Sequence, residues 1–244
     1  MPNRIFIPTQ SYGDWQRLLA KPELQWKAGY SAMTLARSWE AAAPVGFPPE
    51  VAASLASAGA PELQNLSLLL ALPEFQVPLP GGERPSQTDL LAVARGSKGL
   101  VTIAVEGKVD EIFGPTIGQK RAEKSAGVDE RLRSLFQCVS LSAADVADGL
   151  RYQLLHRTAS AVLVAEQFFA AAAVMLVHSF SPSNKWFEDF AAFAALFKVQ
   201  PKAGEVVLIC KPRGIPLFIG WCRGDQQFRG DVGSNSSSSG RESA

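Results

Sequence analysis

The sequence predicts an α/β domain: a mixed sheet flanked by helices, with a helical extension at the N-terminus. Three observations lead there. Apolar runs of strand length recur at 66–72, 88–94 and 100–109, joined by short turns carrying glycine or proline, the pattern of an antiparallel meander. The two later runs are apolar on both faces, which calls for helices covering the sheet on each side. Beyond them, segments of helical period alternate with further apolar runs at 173–180, 206–210 and 215–221. With 244 residues, 47% hydrophobic and 19% charged, the chain is long enough and apolar enough to bury a substantial core.

Taken in order, residues 1–60 read as a helical segment packed on that core. Tyr12 to Lys21 carries Trp15, Leu18 and Leu19 at helical spacing, and Tyr30 to Ala43 carries Met33, Leu35 and Trp39 among alanines. Pro48-Pro49 opens a third segment, Glu50 to Ser57, with proline where a first helical turn tolerates it. The tryptophans are read as core rather than as stacking platforms. Residues 61–229 form the α/β domain itself. Its first run, Leu66 to Leu72, is followed after Pro73 by a second piece, Phe75 to Leu79, and the turn Pro80-Gly81-Gly82 ends it. Thr88 to Ala94 and Leu100 to Asp110 follow. A basic helical segment spans Thr116 to about Ser140, and Ser142-x-x-Asp145 resembles a capping box. A long helix is expected from about Gly149 to Phe169, a strand over Ala173 to Phe180 and a helix over Asn184 to Phe197. A closing hairpin follows across Lys211-Pro212-Arg213-Gly214. The polar, Ser/Gly-rich residues 230–244 are expected to be disordered.

Composition narrows function mostly by exclusion. A formal net charge of +1 gives no global reason to bind nucleic acid or membrane, so any electrostatic case must be local. Cys138, Cys210 and Cys222 lack metal-ligand spacing, and an odd count suits a reducing cytoplasm. The opening Met-Pro-Asn-Arg-Ile-Phe-Ile-Pro has no signal-peptide core. The most apolar stretch, Ala161 to Val177, is broken by Glu166 and Gln167 and is too short to span a bilayer. A cytoplasmic protein without membrane partners is the expectation. No nucleophile elbow and no Walker or Rossmann phosphate loop occurs.

The informative stretch is Leu100–Asp110. On a strand, alternate residues share a face, so Glu106, Lys108 and Asp110 point one way while Val101, Ile103, Val105 and Val109 point the other. Charges at the end of a buried strand need pairing or a metal. Asp89, at the start of the preceding strand, is brought near Glu106 by antiparallel pairing. Two carboxylates with an ammonium beside them suit a hard divalent cation, which uses one or two carboxylates and completes its shell with water and phosphate.

Asp89 followed by Glu106-Gly107-Lys108 resembles the PD-(D/E)XK signature of the restriction-endonuclease-like nuclease superfamily, and the expected helix–strand–strand–strand–helix–strand order from about residue 48 to 180 is similar to its core. The resemblance implies a restriction-endonuclease-like fold and a Mg²⁺- or Mn²⁺-dependent nuclease hydrolysing phosphodiester bonds, with DNA as the leading partner. Asp89, Glu106 and Lys108 would be catalytic. The metal would sit on Asp89, Glu106 and the Gly107 carbonyl. Glu62 or Asp110 are candidates for a further acid, with Glu50 after Glu62. Gln119 and Lys120 are candidate substrate contacts, as are Arg151 and Arg157 on the long helix. The chain departs from the family in two places: Thr88 stands where the signature often has proline, and the Gln-x-x-x-Tyr motif of the RecB-like branch is missing after the strand. The competing reading is a catalytically inactive member of the same fold that binds nucleic acid or protein. Elsewhere, His178 reads as a satisfied core histidine. From Lys198 to Arg229, six cations stand against Glu205 and Asp225, a local surplus of four, which suits a phosphate backbone.

Overall fold

The computed structural model describes residues 8–123 and 127–230. Residues 231–244, nearly all of the expected disordered tail, lie outside the described residues, as do residues 1–7. Before the sheet come a 3-10 segment, Tyr12–Leu18, and three helices: α1 (Pro22–Gln25), α2 (Ser31–Ala42) and α3 (Pro49–Ser57). The strands are β1 (Ser67–Val77), β2 (Ser86–Gly96), β3 (Gly99–Lys108), β4 (Ala172–Ser179), β5 (Val206–Cys210) and β6 (Leu217–Arg223). Between β3 and β4 lie α4 (Ile117–Ala122), α5 (Val128–Cys138) and α6 (Tyr152–Gln167), and α7 (Phe187–Ala195) follows β4.

The strands form one mixed sheet in the order β1-β2-β3-β4-β6-β5. β1, β2 and β3 are the expected antiparallel meander. β4 runs parallel to β3 and to β6, and β5 closes the edge antiparallel to β6. The parallel pairs need crossovers, supplied by α4–α6 and by α7. Helices cover both faces. On one side α2 and α3, with Trp15 of the 3-10 segment, pack Leu35, Trp39, Val51 and Leu55 against Leu90, Ile103, Val105 and Val174. The N-terminal segment therefore shares the sheet's core. On the other side Leu135, Leu154, Leu155 and Val162 of α5 and α6 meet Ala104, Met175 and Val177.

The structure revises several element boundaries for identifiable reasons. Pro73 does not split the first strand: β1 runs through it as the free edge of the sheet, where a missing N–H interrupts no inner ladder. The next residue, Glu74, takes a left-handed φ of 52°. The basic segment becomes two helices, broken at Gly127, whose φ of 91° is left-handed. Ser142 caps only the 3-10 turn Ala143–Asp145, accepting from the Ala144 N–H. The Asp145 side chain of the expected box lies outside the described residues. The long helix instead begins at Tyr152, because Thr116 bridges to Arg151 and holds that residue extended. Asp110 falls beyond the end of β3 and does not extend the Glu106–Lys108 alternation.

Candidate functional site

The sheet lines up three carboxylates across three strands. In the β1–β2 register, Pro73 faces Leu90 and Phe75 faces Thr88, so Glu74 stands opposite Asp89. In the β2–β3 register Leu90 faces Val105, so the next position sets Asp89 opposite Glu106. Leu90 and Val105 point to the α2–α3 side, and by alternation Asp89, Glu106 and Lys108 point to the α6 side. Just past the last rung of the β2–β3 ladder, the Asp89 carboxylate substitutes for a backbone acceptor: its Oδ2 takes the Gly107 N–H at 2.9 Å.

Helix α6 completes the cluster from above. Gln153 and Arg157, four residues apart, share one helix face and both reach Glu106. Glu106 Oε1 accepts from Lys108 Nζ at 2.7 Å and from Gln153 Nε2 at 2.6 Å. Its Oε2 accepts from Arg157 Nε at 2.5 Å. Arg157 also spans to Asp89, Nη2 to Oδ1 at 3.5 Å, and donates through Nη1 to Ser86 Oγ at 2.7 Å. That leaves the Ser86 hydroxyl proton for His156 Nδ1, 3.0 Å away. Lys108 Nζ lies 4.9 Å from the centre of the Phe113 ring, an arrangement that gives the ammonium a further weak partner.

Burial sets the electrostatics. Glu106 is 2% exposed, while the Asp89 side chain keeps 23% of its surface. Burial alone would raise Glu106, but Arg157 and then Lys108 outweigh it and hold the carboxyl down at about 2. Burial and then repulsion from Glu106 push Asp89 up to about 7, and burial and then the Asp89 charge push Glu74 up to about 9. Three carboxylates thus share two cations, and burial together with repulsion between the acids favours the protonated forms of Asp89 and Glu74. Burial and the adjoining Arg157 press His156 well below its ordinary value, so it is neutral at pH 7 and accepts from Ser86.

A cleft of about 360 Å³ opens onto this cluster, lined by Pro85, Ser86, Gln87, Lys108, Ile112, Gly114, Pro115, Tyr152, Gln153, His156 and Arg157. A larger depression of about 660 Å³ follows the β1 edge, but its acid, Glu40, already accepts from Thr9 and the Trp15 indole. The smaller cleft is the one next to chemistry.

The expected residues divide clearly. Asp89, Glu106, Gly107 and Lys108 come together, and Arg157 joins them. Glu62 lies by Gly96, at the far end of β2, and Glu50 pairs with His178 on the opposite face. Asp110 contacts Ser181 and Arg229. Gln119 is spent on the α4 capping box with Thr116, and Lys120 pairs with Glu123. Arg151 is engaged by Asp189 and the Gly114 carbonyl. Of the six cations from Lys198 to Arg229, Arg213 pairs with Glu166 and Arg229 with Asp110. Glu74, Gln153 and Ser86 join the cluster without being singled out by the sequence pattern. An acid in an otherwise apolar edge strand and a Gln-x-x-x-Arg spacing on the long helix were the available signals. His178 is the satisfied core histidine expected, receiving the Trp39 indole N–H at 3.3 Å and facing Glu50 at 3.1 Å.

A family described as a domain of unknown function (DUF6946) matches residues 8–226. The chain belongs to that family. No curated protein and no solved structure matches it. No helix among the described residues is long and apolar enough to cross a membrane. Among the described residues, no three His, Cys, Asp or Glu side chains converge as a ready-made metal cage. Asp89 and Glu106 supply the one or two carboxylates that a hard divalent cation needs, with both Glu106 oxygens already accepting from Lys108, Gln153 and Arg157.

Proposed function

We propose that this protein is a metal-dependent nuclease of restriction-endonuclease-like fold, hydrolysing phosphodiester bonds, with DNA as the first substrate to test. The observation that carries the reading is the row Glu74, Asp89, Glu106 on adjacent strands, with Lys108 and Arg157 standing between these acids and the cleft that both cations line. Asp89 and Glu106 would hold Mg²⁺ or Mn²⁺. When bound there, such a cation supplies a water of lowered pKa and offsets charge on the phosphate.

The chain's own groups have separable tasks. The Gly107 N–H and Gln153 orient Asp89 and Glu106. Lys108 presents a fixed ammonium at the cleft, where negative charge develops on the phosphate oxygens under attack. Tyr152 and Pro115 line the same cleft and would narrow water's access around the reacting bond. Protons held on Asp89 and Glu74 would be released on cation entry, so uptake should acidify an unbuffered solution.

A second reading has its own support. Arg157 already bridges Asp89 and Glu106, a role a cation would otherwise take, as in an inactive binding module. One experiment separates them: plasmid and linear DNA are incubated with purified protein and Mg²⁺ or Mn²⁺, then with EDTA, beside Lys108→Ala. Cleavage that needs metal and disappears in folded Lys108→Ala supports the nuclease. Absence of both cleavage and metal binding leaves the inactive module.

A further inference from the structure

Arg157 is placed to do more than neutralise. Its guanidinium lies between Asp89 and Glu106, donating to Glu106 Oε2 at 2.5 Å and reaching Asp89 Oδ1 at 3.5 Å. A cation shared by those carboxylates would have to occupy the same region, and two positive centres held that close repel strongly in a poorly screened site. The same side chain lines the cleft. The Asp89 contact is its longest, so that end of the fork is the least firmly held. A long, flexible stem lets the guanidinium turn while α6 stays in place, and its planar fork matches phosphate oxygens as well as carboxylates.

We infer that Arg157 couples cation binding to substrate binding. In the free protein it bridges Asp89 and Glu106 and keeps divalent cations out. A phosphate in the cleft draws the guanidinium away, leaving Glu74, Asp89 and Glu106 facing Lys108 alone, and the cation then enters. This rests on the reading of Asp89 and Glu106 as the cation pair. Because coupling is reciprocal, the cation must tighten phosphate binding by the same factor.

The test measures Mn²⁺ binding from the electron paramagnetic resonance signal of free Mn²⁺, for wild type and Arg157→Met. Each is measured alone and with a phosphorothioate-linked oligothymidine, after subtracting Mn²⁺ taken by the oligonucleotide itself. The expected result is that Arg157→Met binds Mn²⁺ about tenfold or more tightly than wild type. The oligonucleotide tightens binding by wild type and leaves the variant unchanged. If Mn²⁺ binds but wild type is indifferent to the oligonucleotide, or the folded variant matches wild type, the coupling is refuted while the cation pair survives. If no sample binds Mn²⁺, both fall. Should Arg157→Met fail to fold by circular dichroism, the two wild-type measurements decide alone.

Discussion

Replacing Glu106 with glutamine tests the account of the cluster most directly. The substitution keeps the shape and removes one charge. Wild-type Glu106 accepts from three donors: Lys108 and Gln153 on one oxygen, Arg157 on the other. An amide has one acceptor oxygen, so whichever way it is turned, its NH₂ faces a donor. With the oxygen toward Lys108 and Gln153, the NH₂ abuts Arg157 Nε. Glu106 and Arg157 are both buried, and breaking a buried pair by removing one partner typically costs about 3–5 kcal/mol. Asp89, 3.5 Å from Arg157, loses a repelling neighbour and ionises more readily, which keeps the loss near the lower end, about 3 kcal/mol. Urea denaturation at pH 7, followed by circular dichroism, should show a lower midpoint at unchanged slope. The double variant Glu106→Gln/Arg157→Met should recover part of the loss, because the Arg157 guanidinium is no longer stranded, although Lys108 still lacks its carboxylate. A single variant within about 0.5 kcal/mol of wild type, or strictly additive losses in the double, would refute the idea that this buried pair organises the site.

Two further outcomes follow from the opposite face of the sheet. His178 is fully buried among Trp39, Phe180 and Glu50, and burial lowers its pKa although the Glu50 carboxylate pulls upward. Below its ordinary value of 6.5 the unfolded chain takes up a proton that the folded chain refuses. Its contribution is therefore lost as pH falls, and between pH 6.5 and 5.5 wild type should lose up to about 1 kcal/mol relative to His178→Gln; parallel pH profiles would contradict this. Gly224 sits against the Phe180 ring, and a methyl group there would collide with it. Gly224→Ala should lose about 1–3 kcal/mol, measured by thermal denaturation; an unchanged melting temperature would mean that the ring shifts freely.

Much of the architecture was legible in the chain. β-branched and leucine-rich runs with short glycine-bearing turns specify a meander locally, and burial on both faces of β2 and β3 demands helices on both sides. The alternation of Glu106 and Lys108 against Val101, Ile103 and Val105 follows from strand geometry alone, and that is why Asp89, Glu106 and Lys108 could be picked out together. What could not be read depended on register and on contacts distant in sequence. Glu74 becomes the third acid only because β1 continues through Pro73 at the edge and pairs so that residue 74 faces residue 89. Arg157 becomes the bridge between two carboxylates only because α6 crosses above β2 and β3, about 50 residues after Glu106. Sequence by itself determined which residues carry charge on which side of a strand, since that is a property of backbone periodicity. The tertiary structure decided which charges meet and which go short of a partner, because ionisation in a buried cluster depends on distances that no local pattern encodes.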